Sequence, residues 1–218
     1  YPGRNSGRYG RAGPAALSLS RKRLLRRLYP PAVYRNSPIM TFEVIVLAAG
    51  KGTRMQSREP KVMQDLAGRS LFSHVMTTAA GLQPSHIHVV HGHDDGVLQR
   101  AVQQLSGVNW VCQDQQLGTA HAVLQALPAV NSKSDVLVLY GDVPLIKQPT
   151  LASLVAAVAG RNLVVLTAHV PEPGGYGRVV RGRDGFVARI VEERDANEDE
   201  KAICEINTGF IAAPATVL

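Results

Sequence analysis

Residues 43–50 read Glu43-Val-Ile-Val-Leu-Ala-Ala-Gly50, an unbroken apolar run that ends in glycine. A strand buried on both faces has this appearance, because neither face is left for water. Such a strand needs a layer packed on each side, and the rest of the chain supplies candidates. Residues 70–80 carry apolar side chains at helical spacing. His86–His91 alternates and is β-branched. Residues 95–105 place Val97, Leu98, Ala101, Val102 and Leu105 on one helical face. Val108–Gln113 is a further strand, and residues 119–127 suit a helix closed by Pro128. Asp135-Val-Leu-Val-Leu-Tyr140 is a second fully buried strand, followed by a helix over 150–159 and a strand over 163–168. Strands alternating with helices predict an α/β fold with a doubly wound, mostly parallel sheet. Beyond residue 170 the pattern changes. A turn-rich loop (171–177) precedes a hairpin built from 178–181 and 185–192, then a charged segment (192–202), then a strand over 203–212.

Charge divides the chain. Residues 1–39 hold nine basic residues and no acidic one, whereas the rest holds 15 basic and 17 acidic residues. The formal net charge of +7 therefore belongs to the amino-terminal segment. The expected folded domain, residues 40–218, carries no basic excess of the kind that marks nucleic-acid binding. Residues 1–39 read as a basic extension upstream of a natural start at Met40. A targeting peptide, an expression tag and a nucleic-acid arm are the competing readings. No run of about 18 apolar residues is present to span a membrane. Two cysteines make no disulfide framework, which fits a reducing compartment, and Cys112 and Cys204 are expected to be buried. His86, His88, His91 and His93 invite a zinc reading. Alternation splits them between two faces, so structural or surface roles are expected.

Open α/β sheets bind ligands beyond the carboxyl ends of their strands. Two loops lie there. One is Leu47-Ala48-Ala49-Gly50-Lys51-Gly52-Thr53-Arg54-Met55, followed by Pro60-Lys61. Glycines let backbone N–H groups approach phosphate oxygens, and Arg54 and Lys61 add positive charge. The loop is neither a Walker A motif nor a dinucleotide fingerprint, since Met55 stands at the third glycine. An ordinary strand-to-helix turn is the bland alternative. The other loop is Tyr140-Gly141-Asp142, where a carboxylate suits Mg²⁺ or, more plainly, a turn or helix cap. Together they describe a site able to hold a metal–nucleotide complex.

The run LAAGKGTRM followed by PKV resembles the sugar-nucleotide pyrophosphorylases. Several further motifs occur in the order and spacing of a narrower group. They are Gln113 with Gln116-Leu-Gly-Thr119-Ala-His, Leu139-Tyr-Gly-Asp-Val-Pro-Leu145, Gly175-Tyr-Gly-Arg178, Ile190-Val-Glu-Glu193 and Glu205-Ile-Asn-Thr-Gly209. That group is the uridyltransferase part of the bacterial bifunctional N-acetylglucosamine-1-phosphate uridyltransferase / glucosamine-1-phosphate acetyltransferases. The resemblance runs from about Met40 to Leu218.

It implies a Rossmann-like nucleotidyltransferase fold with a β-hairpin sugar-binding insertion, acting on UTP and N-acetylglucosamine 1-phosphate with Mg²⁺. The products would be UDP-N-acetylglucosamine, for peptidoglycan and lipopolysaccharide precursors, and pyrophosphate. Leu47, Ala48, Ala49 and Gly50 would line the nucleotide, and Gln113, Gly118 and Thr119 the uracil side. Arg54 and Lys61 would neutralise phosphates. Asp142, beside Tyr140 and Gly141, would ligate Mg²⁺, and Gly177, Glu192 and Asn207 would hold the sugar. A solvated charge is the bland reading of Glu192. The resemblance further implies a cytoplasmic homotrimer, assembled through a carboxy-terminal left-handed β-helix that also carries acetyl transfer. That helix and a second metal-site asparagine lie beyond Leu218 in the family, so the chain as it stands is expected to be an incomplete, inactive site. Another sugar-1-phosphate nucleotidyltransferase, of UDP- or dTDP-glucose type, and a non-catalytic nucleotide-sugar sensor are the rival functions.

Overall fold

The computed structural model describes residues 41–50, 59–92, 96–158 and 162–218. The chain divides at Ile39/Met40, and every described residue lies in the second unit. The strands are β1 (Phe42–Leu47), β2 (Asp65–Leu66), β3 (Arg69–Ser70), β4 (Ile87–His91), β5 (Val108–Cys112), β6 (Asp135–Tyr140), β7 (Val164–His169), β8 (Arg178–Arg181), β9 (Val187–Val191) and β10 (Glu205–Pro214). The α-helices are α1 (Leu71–Gly81), α2 (Val97–Ala101), α3 (Thr119–Ala126), α4 (Gln148–Ala156) and α5 (Glu198–Lys201).

The main sheet runs β5-β4-β1-β6-β10-β8-β9, and β7 pairs with β10. Its β5-β4-β1-β6 half is parallel. Parallel direction puts the carboxyl ends of four strands on one edge, where the two expected loops emerge. Strands β7, β8, β9 and β10 are antiparallel additions. β10 crosses from one region to the other. Its far end pairs with β6, its near end with β8, and its register on β7 shifts between Asn207 and Ile211.

Alternation along β1 and β6 feeds two cores, as a doubly covered sheet requires. Val44, Val46, Leu137 and Leu139 face α1, α2 and α4, packing on Phe72, Met76, Leu98 and Leu151. Ile45, Val136 and Val138 face α3 through Ala122, Val123 and Ala126. Helix α1 shows why the local sequence complies. Phe72, Val75, Met76 and Ala79 recur at helical spacing and are all fully buried. The Ser70 hydroxyl accepts from the Ser73 N–H at 3.1 Å and so starts the helix. Each such large apolar side chain contributes about 1.5–3 kcal/mol through burial.

Several boundaries differ from the sequence reading. The helix expected over 95–105 is α2 alone, with Val102 as its C-cap. Pro128 does not end its helix abruptly but sits in a 3₁₀ turn, Leu127–Ala129, where its missing N–H costs little. Helix α4 begins two residues early, because Pro149 occupies its first turn and fits the helical φ. Cys112 and Cys204 are exposed, contrary to expectation. Cys112 ends β5, an outer strand of the sheet, which no further strand covers among the described residues.

Candidate active site

The glycine loop and the aspartate loop meet at the carboxyl edge of the parallel strands. The Gly141 N–H donates to the Leu47 carbonyl at 2.9 Å, and the Ala48 N–H to the Val90 carbonyl at 2.8 Å. A Cβ at Gly141 would stand 3.2 Å from the Leu47 oxygen and 3.3 Å from Val62 Cγ1. Glycine is therefore what lets the two loops approach this closely. Val62, buried in the 3₁₀ turn Lys61–Met63, anchors that turn. Lys61 thereby reaches the aspartate loop, with Nζ 2.6 Å from Asp142 Oδ2. Lys61, expected on phosphate, and Asp142, expected on metal, thus form one cation–carboxylate pair. Both side chains are reachable from solvent, at 46% and 22% exposure. Arg54, with the rest of residues 51–58, lies outside the described residues.

On the β4–β5 side, the Gln113 N–H donates to the His91 carbonyl at 2.7 Å. Gln113 itself is buried, with Nε2 2.9 Å from His121 Nδ1 and 3.4 Å from the Gly118 carbonyl. Gly118 adopts φ 105° at the start of α3, directly before Thr119. The group expected on the uracil side is therefore held by α3's first turn. Gln116, which the sequence marks only as part of a motif, proves to be a tether. Its Nε2 donates to the Ala49 carbonyl, fastening the glycine loop to the Gln113–Thr119 loop.

The expected sugar residues come together on the antiparallel half. The Asn207 N–H donates to the Gly177 carbonyl at 2.8 Å. A Cβ at Gly177 would lie 3.3 Å from Glu192 Oε1. Glu192 is exposed. Asn207 Oδ1 accepts from the Gly209 N–H at 3.0 Å within the irregular stretch of β10. Tyr140 joins the two halves. Its ring packs edge-on against Phe210 at 6.0 Å, and it lies across Gly209. Gly209 has φ +83°, and a Cβ there would stand 2.6 Å from Tyr140 Cε2. Gly209→Ala is therefore expected to cost about 2–4 kcal/mol, from left-handed strain plus the displaced ring. Urea unfolding checks the stability loss. An unchanged midpoint would show that the ring moves aside freely.

The histidines separate. His88 is fully buried, with Nε2 2.7 Å from Glu43 Oε2, whereas His91 Nδ1 donates to the Gly92 carbonyl at 2.7 Å. His93 lies outside the described residues. Among the described residues no group of three or more His, Cys, Asp or Glu could hold a metal ion. None of their helices is long and apolar enough to cross a membrane.

A glycine loop, a cation–carboxylate pair and a second polar cluster, gathered at the carboxyl edge of a parallel sheet, suit a nucleotidyltransferase domain. The chain belongs to the MobA-like NTP transferase family, whose domain model matches residues 44–203. The bifunctional protein GlmU of Aromatoleum aromaticum is 51% identical over 176 residues, which cover 81% of this chain and 38% of that protein. The bifunctional protein GlmU of Xanthomonas oryzae is 48% identical over 179 residues, covering 82% and 39%. The chain thus spans about two fifths of the length of these curated relatives. Among solved structures, UDP-glucose pyrophosphorylase complexed with UDP-glucose superposes with TM-score 0.64 at 15% identity, over 82% of this chain and 78% of that one. HddC from Yersinia pseudotuberculosis gives 0.64 at 19%, over 81% and 78%. These two are likenesses of fold.

Proposed function

We propose that this domain transfers a uridylyl group from UTP to N-acetylglucosamine 1-phosphate, giving UDP-N-acetylglucosamine and pyrophosphate. The observation that carries this reading is the joining, through Tyr140, of the Lys61–Asp142 pair to the Gly177–Glu192–Asn207 cluster. Identity near 50% to the GlmU proteins, over about 80% of the chain, supports it.

The chemical problem is repulsion. Two unit charges 4 Å apart interact by about 4 kcal/mol at an effective dielectric of about 20, and both substrates carry several. The sugar phosphate oxygen attacks the α-phosphorus in line, and pyrophosphate leaves. No protein nucleophile is needed, so the residues bind, orient and neutralise. In this reading Leu47, Ala48, Ala49 and Gly50 line the nucleotide. Gln113, Gly118 and Thr119 meet the base, and Arg54 and Lys61 offset the phosphates. Glu192 accepts from sugar hydroxyls, while Asn207 donates and accepts.

The donor set fits Mg²⁺. Asp142 already holds a cation, the Lys61 ammonium, on one carboxylate oxygen. Mg²⁺ takes one or two carboxylates and completes its shell with water and substrate phosphate. Asp142 would hold the ion, which when bound would offset charge on the nucleotide phosphates. A cytoplasmic setting, assembly of the whole protein into a trimer and a second, acetyl-transferring activity belong to the same proposal. A panel of sugar 1-phosphates against UTP and dTTP tests substrate choice. N-acetylglucosamine 1-phosphate with UTP is expected to give the highest kcat/KM. Preference for glucose 1-phosphate would replace this substrate, and nucleotide-sugar binding without pyrophosphate release would make the domain a sensor.

A further inference from the structure

We infer that Arg178 and Glu193 form a positioning pair that sets the sugar end of the site, governing affinity for the sugar phosphate but not for the nucleotide. The inference rests on the sugar-nucleotidyltransferase reading above. Each member is the immediate chain neighbour of a sugar-site residue. Arg178 follows Gly177, and Glu193 follows Glu192.

Arg178 is 1% exposed, the largest fully buried side chain in the domain's described part. Its Nη2 lies 2.6 Å from Glu193 Oε2. The same carboxylate oxygen accepts from the Gly175 N–H at 3.1 Å. Arg178 Nη1 donates to the Tyr176 carbonyl, and Nη2 makes a long contact, 3.5 Å, with the Lys201 carbonyl. Residues 175–177 are thus fastened at each position, Gly175 directly to the segment that carries Glu192 and the other two to β8 and β10. Gly175 is held through its N–H, Tyr176 through its carbonyl, and Gly177 through the Asn207 N–H at 2.8 Å. The gap so defined is narrow, since a Cβ on Gly177 would come within 3.3 Å of Glu192 Oε1.

The pair is poorly built for stability alone. Arg178 Nε is buried with no hydrogen-bond partner among the described residues, and its carboxylate partner is 40% exposed. An ion pair with one partner exposed and a buried, unsatisfied donor on the other gains little over apolar packing. What the guanidinium adds is a rigid fork that meets a carboxylate and a carbonyl at once, which a lysine ammonium does not reproduce. Arg178 and then the Gly175 N–H hold the Glu193 carboxyl below the usual carboxylate range, so it is ionised near neutrality.

The test uses Glu193→Ala, Glu193→Gln and Arg178→Lys in the full-length protein, with separate KM values for N-acetylglucosamine 1-phosphate and UTP. Glu193 is half-exposed, so its variants are expected to fold. Thermal melts confirm this. Glu193→Ala is expected to raise the sugar-phosphate KM about tenfold and leave the UTP KM within about twofold, because a small misplacement in a positioned site is felt locally. Glu193→Gln, which keeps an oxygen for Gly175 and Arg178, should recover part of the loss. Equal increases in both KM values, or an unchanged sugar-phosphate KM, would overturn the inference. Lack of turnover with N-acetylglucosamine 1-phosphate by the unsubstituted protein would instead overturn the substrate reading. The same variants are then compared on whichever sugar phosphate the panel identifies, with the same two outcomes deciding the pair.

Discussion

Replacing Asp142 with asparagine is expected to lower kcat about a hundred- to a thousandfold, the range found when one preorganised electrostatic contact to the reacting charge is lost. The folded state should barely notice. Lys61 and Asp142 are partly exposed, and an exposed ion pair contributes about 0–1 kcal/mol. The carboxylate is the charge that a divalent ion would use, so the Mg²⁺ concentration for half-maximal rate should rise in the variant. Chelation by EDTA should abolish turnover of the unsubstituted protein. Lys61→Met should also be slow. The double variant should lose less than the two single losses combined, because the two groups act as a unit. Steady-state rates across a Mg²⁺ series check all of this. Asp142→Asn turning over at near-normal rate, within about threefold, would remove the aspartate from the site.

The largest effect on stability is expected at the opposite end of the parallel strands. Glu43 and His88 are both fully buried. One Glu43 oxygen accepts from His88 Nε2 at 2.7 Å, and the other from the Ser134 hydroxyl at 3.0 Å and the Asn131 N–H at 3.2 Å. Glu43→Ala leaves two buried donors, His88 Nε2 and the Ser134 hydroxyl, and the Asn131 N–H without their acceptor, and is expected to cost about 3–5 kcal/mol. For a domain of this size that is a fall of roughly 10 °C in Tm. Replacing both partners with leucine should recover much of the loss, since an apolar pair leaves fewer donors stranded. Kinetic constants should stay unchanged in all these variants.

The same group gives a signed pH prediction. Burial pushes the Glu43 carboxyl up, but the His88, Asn131 and Ser134 hydrogen bonds together hold it below its ordinary value of 4.5. A depressed folded-state pKa stabilises above the unfolded value, and the benefit is lost as pH falls through the folded one. The unsubstituted protein should therefore lose more stability below about pH 4.5 than the double leucine variant does. Asp135, at the same end of the sheet, works in the opposite direction, because burial raises its pKa. It is present in both proteins, so the difference between them isolates Glu43 and His88. Urea unfolding over a pH series measures that difference.

The parallel half was legible because its signals are local. An apolar run ending in glycine specifies a buried strand and the loop beyond it; β6 has its expected bounds, and β1 starts one residue early and ends at Leu47, three residues before Gly50. The antiparallel half was less so. Strand β7 looks like any other apolar strand, and its direction depends on β10, which starts 41 residues after β7 does. Pairings distant in sequence left no local trace. Glu43 and His88 are 45 residues apart. Arg178 and Arg181 bracket the same four-residue strand. Composition alone gives no reason for the first to be fully buried and the second to stay half-exposed while pairing with the buried Glu205. At the site, motif order singled out Lys61 and Asp142 but not their mutual contact. The Gln116 tether depends on where the glycine loop passes, which no spacing within 113–119 encodes.

Uridylyl transfer is tested by pyrophosphate release from the full-length protein given UTP, Mg²⁺ and N-acetylglucosamine 1-phosphate, with product identity read by mass spectrometry. One UDP-N-acetylglucosamine is expected for each pyrophosphate, and no release when either substrate is withheld. A folded protein that binds UTP yet releases no pyrophosphate with this sugar phosphate would contradict it.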